Sequence, residues 1–176
     1  HTPNLDQLVS EGIKFTQFYA NSPVCSPSRA ALMTGRYPDL VGVPGVIRTH
    51  AAQNWGYFSQ NAVTLPDMLK EAGYYNAIIG KWHLGQLEGS HPNDQGFDDS
   101  LSMIGTLYLP EDHPDVVNSR NLNDPIDNMV WTVGRYSASF NGSDDFEPDE
   151  YLTDYYSKNA IVLIVKNKNR LFFLYL

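Results

Sequence analysis

Residues 64–80 read Thr-Leu-Pro-Asp-Met-Leu-Lys-Glu-Ala-Gly-Tyr-Tyr-Asn-Ala-Ile-Ile-Gly, and this stretch predicts a helix followed by a strand. The threonine and the aspartate three residues later have the spacing of a capping box, with a proline in the first turn. The predicted helix covers residues 65–72, and the glycine that follows stops it. Residues 74–79 are predicted to be a strand with a buried apolar end.

Two more helix signals and one strand signal precede this unit. A threonine–proline pair begins the first predicted helix, and Gly12 is a natural stop for it. Residues 13–20 alternate and are rich in aromatic side chains, which predicts a strand. A second helix is predicted to have Ser26 as its N-cap and Pro27 as its first residue, and to end at Gly35. This alternation predicts an α/β fold in which helices sandwich a mostly parallel sheet.

The rest of the chain is predicted to form a loop region and a last helix–strand pair. Residues 106–150 are rich in Asp, Asn, Pro and Tyr and lack clear periodicity, so we expect a long loop region with a short hairpin at 129–136. Residues 151–168 carry apolar side chains roughly on one face of a helix. Residues 171–175 are predicted to be a fully buried strand.

The composition is that of an ordinary globular domain, because 42% of the 176 residues are hydrophobic and 18% are charged. The 12 Lys and Arg residues against 20 Asp and Glu residues give a net charge of −8, which argues against binding to a nucleic-acid backbone. A single cysteine excludes an internal disulfide framework and a multi-cysteine zinc site. No apolar run approaches the roughly 18 residues that a membrane span needs.

The cysteine lies at the predicted start of the second helix, in Cys25-Ser-Pro-Ser-Arg29. A helix N-terminus exposes N–H groups and a positive potential, so it can bind an anion. Arg29 would lie in the first turn and add a bidentate cation, at an electrostatic cost unless an anion is nearby. By these rules alone Cys25 is either a low-pKa thiolate nucleophile or a small buried side chain.

Two further polar residues follow the predicted strand, in Gly80-Lys81-Trp-His83-Leu-Gly85. Lys81 and His83 would emerge at the carboxyl end of a sheet strand, where open α/β sheets bind ligands. In an extended segment positions i and i+2 point to the same side, so both side chains are predicted to converge on one anion. The alternative is two solvated side chains.

These two motifs resemble a known family. Cys25-x-Pro27-x-Arg29, continued by Ala-Ala-Leu-Met-Thr-Gly-Arg, resembles the sulfatase signature of the alkaline-phosphatase-like superfamily, and the segment around Lys81 and His83 resembles its second signature. Weaker resemblances extend along most of the chain, in Thr2-Pro-Asn-Leu-Asp6 with Glu11-Gly12, in Gln95-Gly-Phe-Asp98 and in residues 166–176. The resemblance implies an alkaline-phosphatase-like fold.

The resemblance also implies a role for each motif residue. A dedicated maturation enzyme would oxidise Cys25 to Cα-formylglycine, whose hydrated aldehyde attacks sulfur and is a ligand of a divalent cation, usually calcium. Arg29 would orient this nucleophile. Lys81 and His83 would bind the sulfate oxygens, with His83 as a candidate to handle a proton of the diol.

The other metal ligands of the family lie outside the matched motifs. The resemblance places an Asp pair before the Thr-Pro-Asn helix and an Asp-Asn or Asp-His pair far downstream, as well as a second lysine and a distal histidine downstream. The chain starts at His1 without a methionine and stops at Leu176 inside an apolar run, so we expect a domain that is incomplete at both ends. We expect the remaining candidates to be solvated loop residues: Asp98, Asp99, Asp112 and His113.

The sequence is therefore interpreted as residues 1–176 of a partial sulfatase catalytic domain, with both signatures in 1–105, a long loop region in 106–150, and a helix and strand in 151–176. The predicted activity is hydrolysis of a sulfate ester to an alcohol and sulfate. The alternatives are a formylglycine-dependent phosphonate or phosphodiester hydrolase, an inactive fragment, and a chain whose Cys25 stays a thiol. This chain alone is expected to bind calcium poorly and to be inactive.

The expected partners are a sulfated small molecule or glycan and the formylglycine-generating maturation enzyme, with no nucleic acid and no membrane span. Aryl sulfates, sulfated sugars and sulfated polysaccharides all remain open as substrates. The resemblance favours a periplasmic, lysosomal or extracellular location. Asn141-Gly-Ser143 fits an N-glycosylation acceptor, a triplet that is common by chance.

Overall fold

The structure is a computed structural model, and it describes residues 1–48, 54–104, 123–125 and 137–176. The helices are α1 (Pro3–Glu11), α2 (Cys25–Thr34), α3 (Leu65–Glu71) and α4 (Leu152–Asn167). The strands are β1 (Tyr75–Gly80), β2 (Asp99–Met103), β3 (Ala138–Phe140) and β4 (Phe172–Tyr175). Short 3₁₀ turns occur at Pro38–Val41 and Pro92–Gln95.

The four strands form one mixed sheet in the order β3-β2-β1-β4. Strand β1 runs parallel to β2 on one side and to β4 on the other, and β3 is antiparallel to β2. In this register Ile78 of β1 lies opposite Ser100 and Tyr175, so the carboxyl ends of the parallel strands meet at one edge. The predicted α/β fold with a mostly parallel sheet is confirmed.

Helices and loops cover both faces of the sheet. Successive residues of β1 point to opposite sides, so the strand contributes apolar side chains to both faces. Ile78 packs with α2 and with the buried Trp82 and Phe97 on one face. Ile79 packs with Leu101 and with the inner residues of α4 on the other face. The core therefore has two apolar layers with β1 between them, as the predicted sandwich requires.

The helix–strand unit at 64–80 forms as its sequence predicts. Thr64 and Asp67 make a complete capping box at the start of α3, and Gly73 follows the helix with a positive φ of 84°. Thr64 is fully buried, and its hydroxyl also donates to the carbonyl of Gln95 at 2.9 Å. A cap of this kind stabilises a helix by about 1 kcal/mol.

Two predicted strands differ from the structure. Residues 13–20 form no strand, and their apolar side chains are exposed, with Ile13 83% accessible, because no described strand pairs with this segment. Strand β4 forms one residue later than predicted and is half-buried rather than fully buried, because in the described sheet it pairs only with β1. Strand β2 had no prediction, and β3 falls inside the predicted loop region 106–150.

Several polar residues predicted to be solvated have partners in the structure. Asp98 accepts a hydrogen bond from the backbone N–H of Asn76 at 2.9 Å and pairs with Lys70 at 3.0 Å. Asp99 belongs to β2 and accepts from the side-chain amide of Asn141 at 3.0 Å. Both are half-buried beside the sheet, so the prediction of solvated loop residues is wrong for them.

Other predictions fall outside the described residues. These are the hairpin at 129–136 and the solvated positions Asp112 and His113. Helix α4 matches the prediction for 151–168 to within one residue at each end. Among the helices that the structure describes, none has the length and apolar character needed to cross a bilayer.

Candidate active site

Helix α2 begins at Cys25, and its N-cap is Val24 in an extended conformation. The predicted N-cap Ser26 and first residue Pro27 therefore each lie two residues too late. The reason is that the Ser26 hydroxyl does not cap the helix but accepts a hydrogen bond from the backbone N–H of Ile47 at 3.1 Å. Cys25, half-buried, thus lies in the first turn itself, where the N–H groups of the helix lack internal partners.

Cys25 and Arg29 stand one turn apart on the same side of α2, since residues at i and i+4 share a helix face. Both line a cavity of about 330 Å³, which we call the helix-start cavity. Its walls also include Ser28 and, from strand β4, Tyr175. The predicted pairing of the cysteine with an arginine at one helix end is therefore present in the fold.

The guanidinium of Arg29 joins α2 to the ends of two strands. Its Nη1 donates to the carbonyl oxygen of Lys81, just after β1, and to the hydroxyl of Tyr175 at 2.9 Å. The guanidinium carbon also lies 5.7 Å from the centre of the Tyr175 ring. Arg29 is thus held where α2 and the carboxyl ends of β1 and β4 meet.

Lys81 and His83 line a second, larger cavity of about 670 Å³, which we call the strand-end cavity. The segment between them is not extended as predicted, because His83 has a left-handed backbone with φ of 61°. Trp82 between them is fully buried, and its Nε1 donates to the carbonyl of Ser90 at 2.9 Å. The two side chains therefore share a cavity because Trp82 anchors the loop, and not through strand geometry.

His83 is held by a backbone carbonyl. Its Nε2 lies 2.9 Å from the carbonyl oxygen of Ile47, which can only accept, so Nε2 carries the proton and Nδ1 is the free acceptor. Nδ1 is buried and has no hydrogen-bond partner among the described residues. Burial and then the positive charges of Lys81 and Arg29 lower the pKa of His83, so its neutral form is favoured.

Known proteins resemble this chain over nearly its whole length. The sulfatase family model matches residues 1–176, the whole of the chain. The chain belongs to the sulfatase family. It is 38% identical over 183 aligned residues to the N-acetylgalactosamine-6-sulfatase of Canis lupus familiaris, an alignment that covers 99% of this chain and 34% of that enzyme. The chain thus spans about a third of the length of this relative.

Solved structures show the same sulfatase fold. The crystal structure of Ps i-CgsB superimposes with a TM-score of 0.77 and 31% identity, covering 99% of this chain and 38% of that one. The structure of BT4656 in complex with its substrate D-glucosamine-2-N,6-O-disulfate matches with a TM-score of 0.66 and 26% identity, covering 99% of this chain and 28% of that one. The sheet flanked by helices is therefore of the alkaline-phosphatase-like type.

The sulfatase fold brings the four predicted residues into two neighbouring sites. Cys25 and Arg29 line the helix-start cavity, Lys81 and His83 line the strand-end cavity, and Arg29 links the two through the Lys81 carbonyl. Sequence reasoning missed Tyr175, although its position at the carboxyl end of a predicted strand was a usable signal.

Sequence reasoning also missed the part that one peptide unit plays in connecting the motifs. The N–H of Ile47 binds Ser26 and its carbonyl binds His83, so a single peptide joins the cysteine motif to the histidine. Ile47 lies 21 residues from Ser26 and 36 residues from His83, and no local sequence pattern predicts either contact.

The described residues do not by themselves fit a calcium ion. Over 1–48, 54–104, 123–125 and 137–176, no group of three or more His, Cys, Asp or Glu side chains is arranged to hold a metal. Calcium prefers six to eight oxygen ligands, and Cys25 is the one position of this chain to which the resemblance assigns a metal contact.

Proposed function

We propose that the complete protein hydrolyses sulfate esters to an alcohol and sulfate, with Cys25 as its nucleophilic position after oxidation to formylglycine. The observation that carries this proposal is that Cys25 and Arg29 share one cavity at the start of α2, in a chain of the sulfatase family. The N–H groups at the start of α2 can bind an anion, and the Arg29 guanidinium one turn further on adds a positive charge to the same cavity, so both favour a bound sulfate group.

Each side chain has a role that its surroundings support. Formylglycine supplies a hydrated aldehyde as the nucleophile. Arg29 orients the nucleophile, and its guanidinium is already oriented by Lys81 and Tyr175. The ammonium of Lys81 binds sulfate oxygens and stabilises the charge that develops on them.

His83 has the protonation state that proton transfer needs. Because Nε2 donates to a carbonyl and the pKa is lowered, Nδ1 is an unprotonated acceptor at neutral pH. We assign to it the acceptance of a proton from the diol. Binding of a sulfate oxygen, the other role that the resemblance implies for His83, would need Nδ1 to be protonated first, because a sulfate oxygen can only accept. Calcium would be held by Cys25 as formylglycine together with ligands from other parts of the complete protein, and it would supply Lewis-acid activation of the nucleophile.

We propose a sulfated sugar as the substrate class. One relative is named for a 6-sulfated N-acetylgalactosamine, and one structural neighbour was solved with a disulfated glucosamine as its substrate. The strand-end cavity of about 670 Å³ is large enough for a sugar unit beside the sulfate, and Lys81 lies in its wall.

The test is to express the complete protein with and without a formylglycine-generating enzyme. Mass spectrometry of the Cys25 peptide reports the modification, and sulfate release from an aryl sulfate and from N-acetylgalactosamine 6-sulfate reports the activity. We expect turnover only when Cys25 is converted, and a loss of at least about 10³-fold in Cys25→Ala with an unchanged melting temperature.

Two outcomes would contradict the proposal. One is full activity with Cys25 unmodified, which would point to a thiol. The other is hydrolysis of a phosphonate ester or a phosphodiester with no release of sulfate from sulfate esters. That result would favour a formylglycine-dependent phosphonate or phosphodiester hydrolase.

A further inference from the structure

We propose that Tyr175 is a positioning residue for Arg29, and that it sets the edge of the guanidinium that faces the sulfate-binding site. The inference rests on the proposed function, since it concerns the same site. Tyr175 lies at the end of β4, is absent from both signature motifs, and lines the helix-start cavity with Cys25 and Arg29.

Arg29 has more hydrogen-bond donors than its partners among the described residues use. A guanidinium has five N–H donors, of which Nη1 holds two. Both Nη1 bonds are used, one by the carbonyl of Lys81 and one by the hydroxyl of Tyr175 at 2.9 Å. The Nε–H and the two N–H groups of Nη2 have no partner among the described residues. These groups form the planar fork that binds an oxyanion in bidentate fashion.

The aromatic ring adds a second constraint. The guanidinium carbon lies 5.7 Å from the ring centre of Tyr175, within the range of a cation–π contact. One side chain therefore holds Arg29 both through its hydroxyl and through its ring. Because a tyrosine has few rotatable bonds and this ring also packs against the core, the contact limits the positions that the long arginine side chain can adopt.

The sheet supplies the fixed geometry. Tyr175 pairs in register with Ile78 of β1, and Lys81 follows the end of the same strand. The two acceptors of Nη1 thus come from the carboxyl ends of adjacent parallel strands, which hydrogen bonds hold at a constant spacing. Arg29 comes from α2. The two acceptors, which together we call the clamp, therefore hold a cation of the helix against a rigid sheet edge.

The experiment replaces Tyr175 by phenylalanine in the complete, formylglycine-containing protein. The Tyr175→Phe variant keeps the ring and loses the hydroxyl, so we expect kcat/KM for an aryl sulfate to fall about tenfold, with the melting temperature within about 2 °C of wild type. Calorimetric binding of inorganic sulfate should weaken by a similar factor. Tyr37→Phe, at a tyrosine that is 72% exposed, is the matched control and should change neither quantity.

A double-mutant cycle separates positioning from a general structural effect. If Tyr175 acts through Arg29, then Tyr175→Phe should cause no further loss in an Arg29→Lys background. Wild-type kinetics and sulfate binding in Tyr175→Phe would overturn the inference, and so would losses that simply multiply in the double variant.

The two readouts distinguish this inference from the proposed function. A wild-type protein that binds sulfate but does not hydrolyse sulfate esters would refute the function, and the clamp would then be judged by sulfate binding alone. A wild-type protein that neither binds sulfate nor hydrolyses sulfate esters would overturn both the proposed function and the role of Tyr175.

Discussion

The helix-start cavity and the strand-end cavity lie side by side but are built in different ways. Cys25 and Arg29 come together because one helix places residues four apart on the same face. Lys81 and His83 share a cavity because Trp82 is buried between them and because the Ile47 carbonyl holds the imidazole. The first pairing depends on local geometry, whereas the second depends on contacts between distant segments.

This difference makes the strand-end cavity the more sensitive of the two to changes elsewhere in the fold. Arg29 links the cavities directly through the carbonyl of Lys81. A second link runs from helix α2, where Ser26 follows Cys25, to Ile47 in the wall of the strand-end cavity. Substitutions that remove the anchors should therefore disturb Lys81 and His83 while leaving the helix pairing intact.

The largest expected effect is on stability, at the buried anchor. Trp82 is fully buried and makes edge-on contacts with Phe58 and Phe97 at centroid distances of 6.2 and 5.8 Å. Trp82→Ala should lower the free energy of unfolding by about 3–5 kcal/mol, measured by denaturant titration. Trp55→Ala, at a site 82% exposed, should change it by less than about 0.5 kcal/mol. Equal losses in the two variants would show that Trp82 is not the anchor.

The next effect is on catalysis, at the cation of the strand-end cavity. Under the proposed function, Lys81→Ala should reduce kcat/KM for an aryl sulfate by about 10²–10³-fold, as for the loss of one preorganised charge-stabilising group. The denaturation midpoint should stay near the wild-type value. Lys70→Ala removes an exposed lysine that pairs with Asp98 and should keep the wild-type rate to within about twofold. A wild-type rate in Lys81→Ala would show that Lys81 has no part in catalysis.

A smaller effect is expected where the second link between the cavities is broken. Ser26→Ala removes the acceptor of the Ile47 N–H and should cost about 1 kcal/mol of unfolding free energy. Ser28→Ala lies on the same helix and removes a hydroxyl that has no hydrogen bond among the described residues, so its cost should be near zero. If both variants unfold at the wild-type midpoint, the hydrogen bond between Ser26 and Ile47 does not stabilise the fold.

The smallest effect concerns the pH dependence of stability at His83. Its folded pKa lies below the ordinary value of 6.5, so the unfolded chain binds more protons between the two values. The contribution of His83 is therefore fully present above about pH 6.5 and is lost as the pH falls towards the folded pKa.

The matching variant is His83→Gln, whose side-chain amide can still donate to the Ile47 carbonyl but does not titrate. Its melting temperature should fall less than that of wild type between pH 7 and pH 5. His91, whose pKa burial also lowers, is present in both proteins and does not enter the difference. Superimposable pH profiles would show that His83 is not held in its neutral form.

The parts of the fold that were predictable are those with a local cause. The capping box at Thr64, the stop at Gly35 and strand β1 follow from neighbouring residues, and the structure contains each of them. The strand predicted at 13–20 has suitable residues but no described pairing partner, so alternation alone was insufficient. Strand β3 lies in a polar region that lacks alternation, and it forms because β2 offers it a free edge.

The amino-acid sequence by itself determined which residues are the candidates for the proposed chemistry. The spacing of Cys25 and Arg29 places them on one helix face, and the positions of Lys81 and His83 after an apolar strand place them at a sheet edge. Only the tertiary structure decided how these groups are held. The bond between His83 and Ile47 and the bond between Arg29 and Tyr175 join segments that are far apart in the chain, because such contacts form only when packing closes the long loops between them.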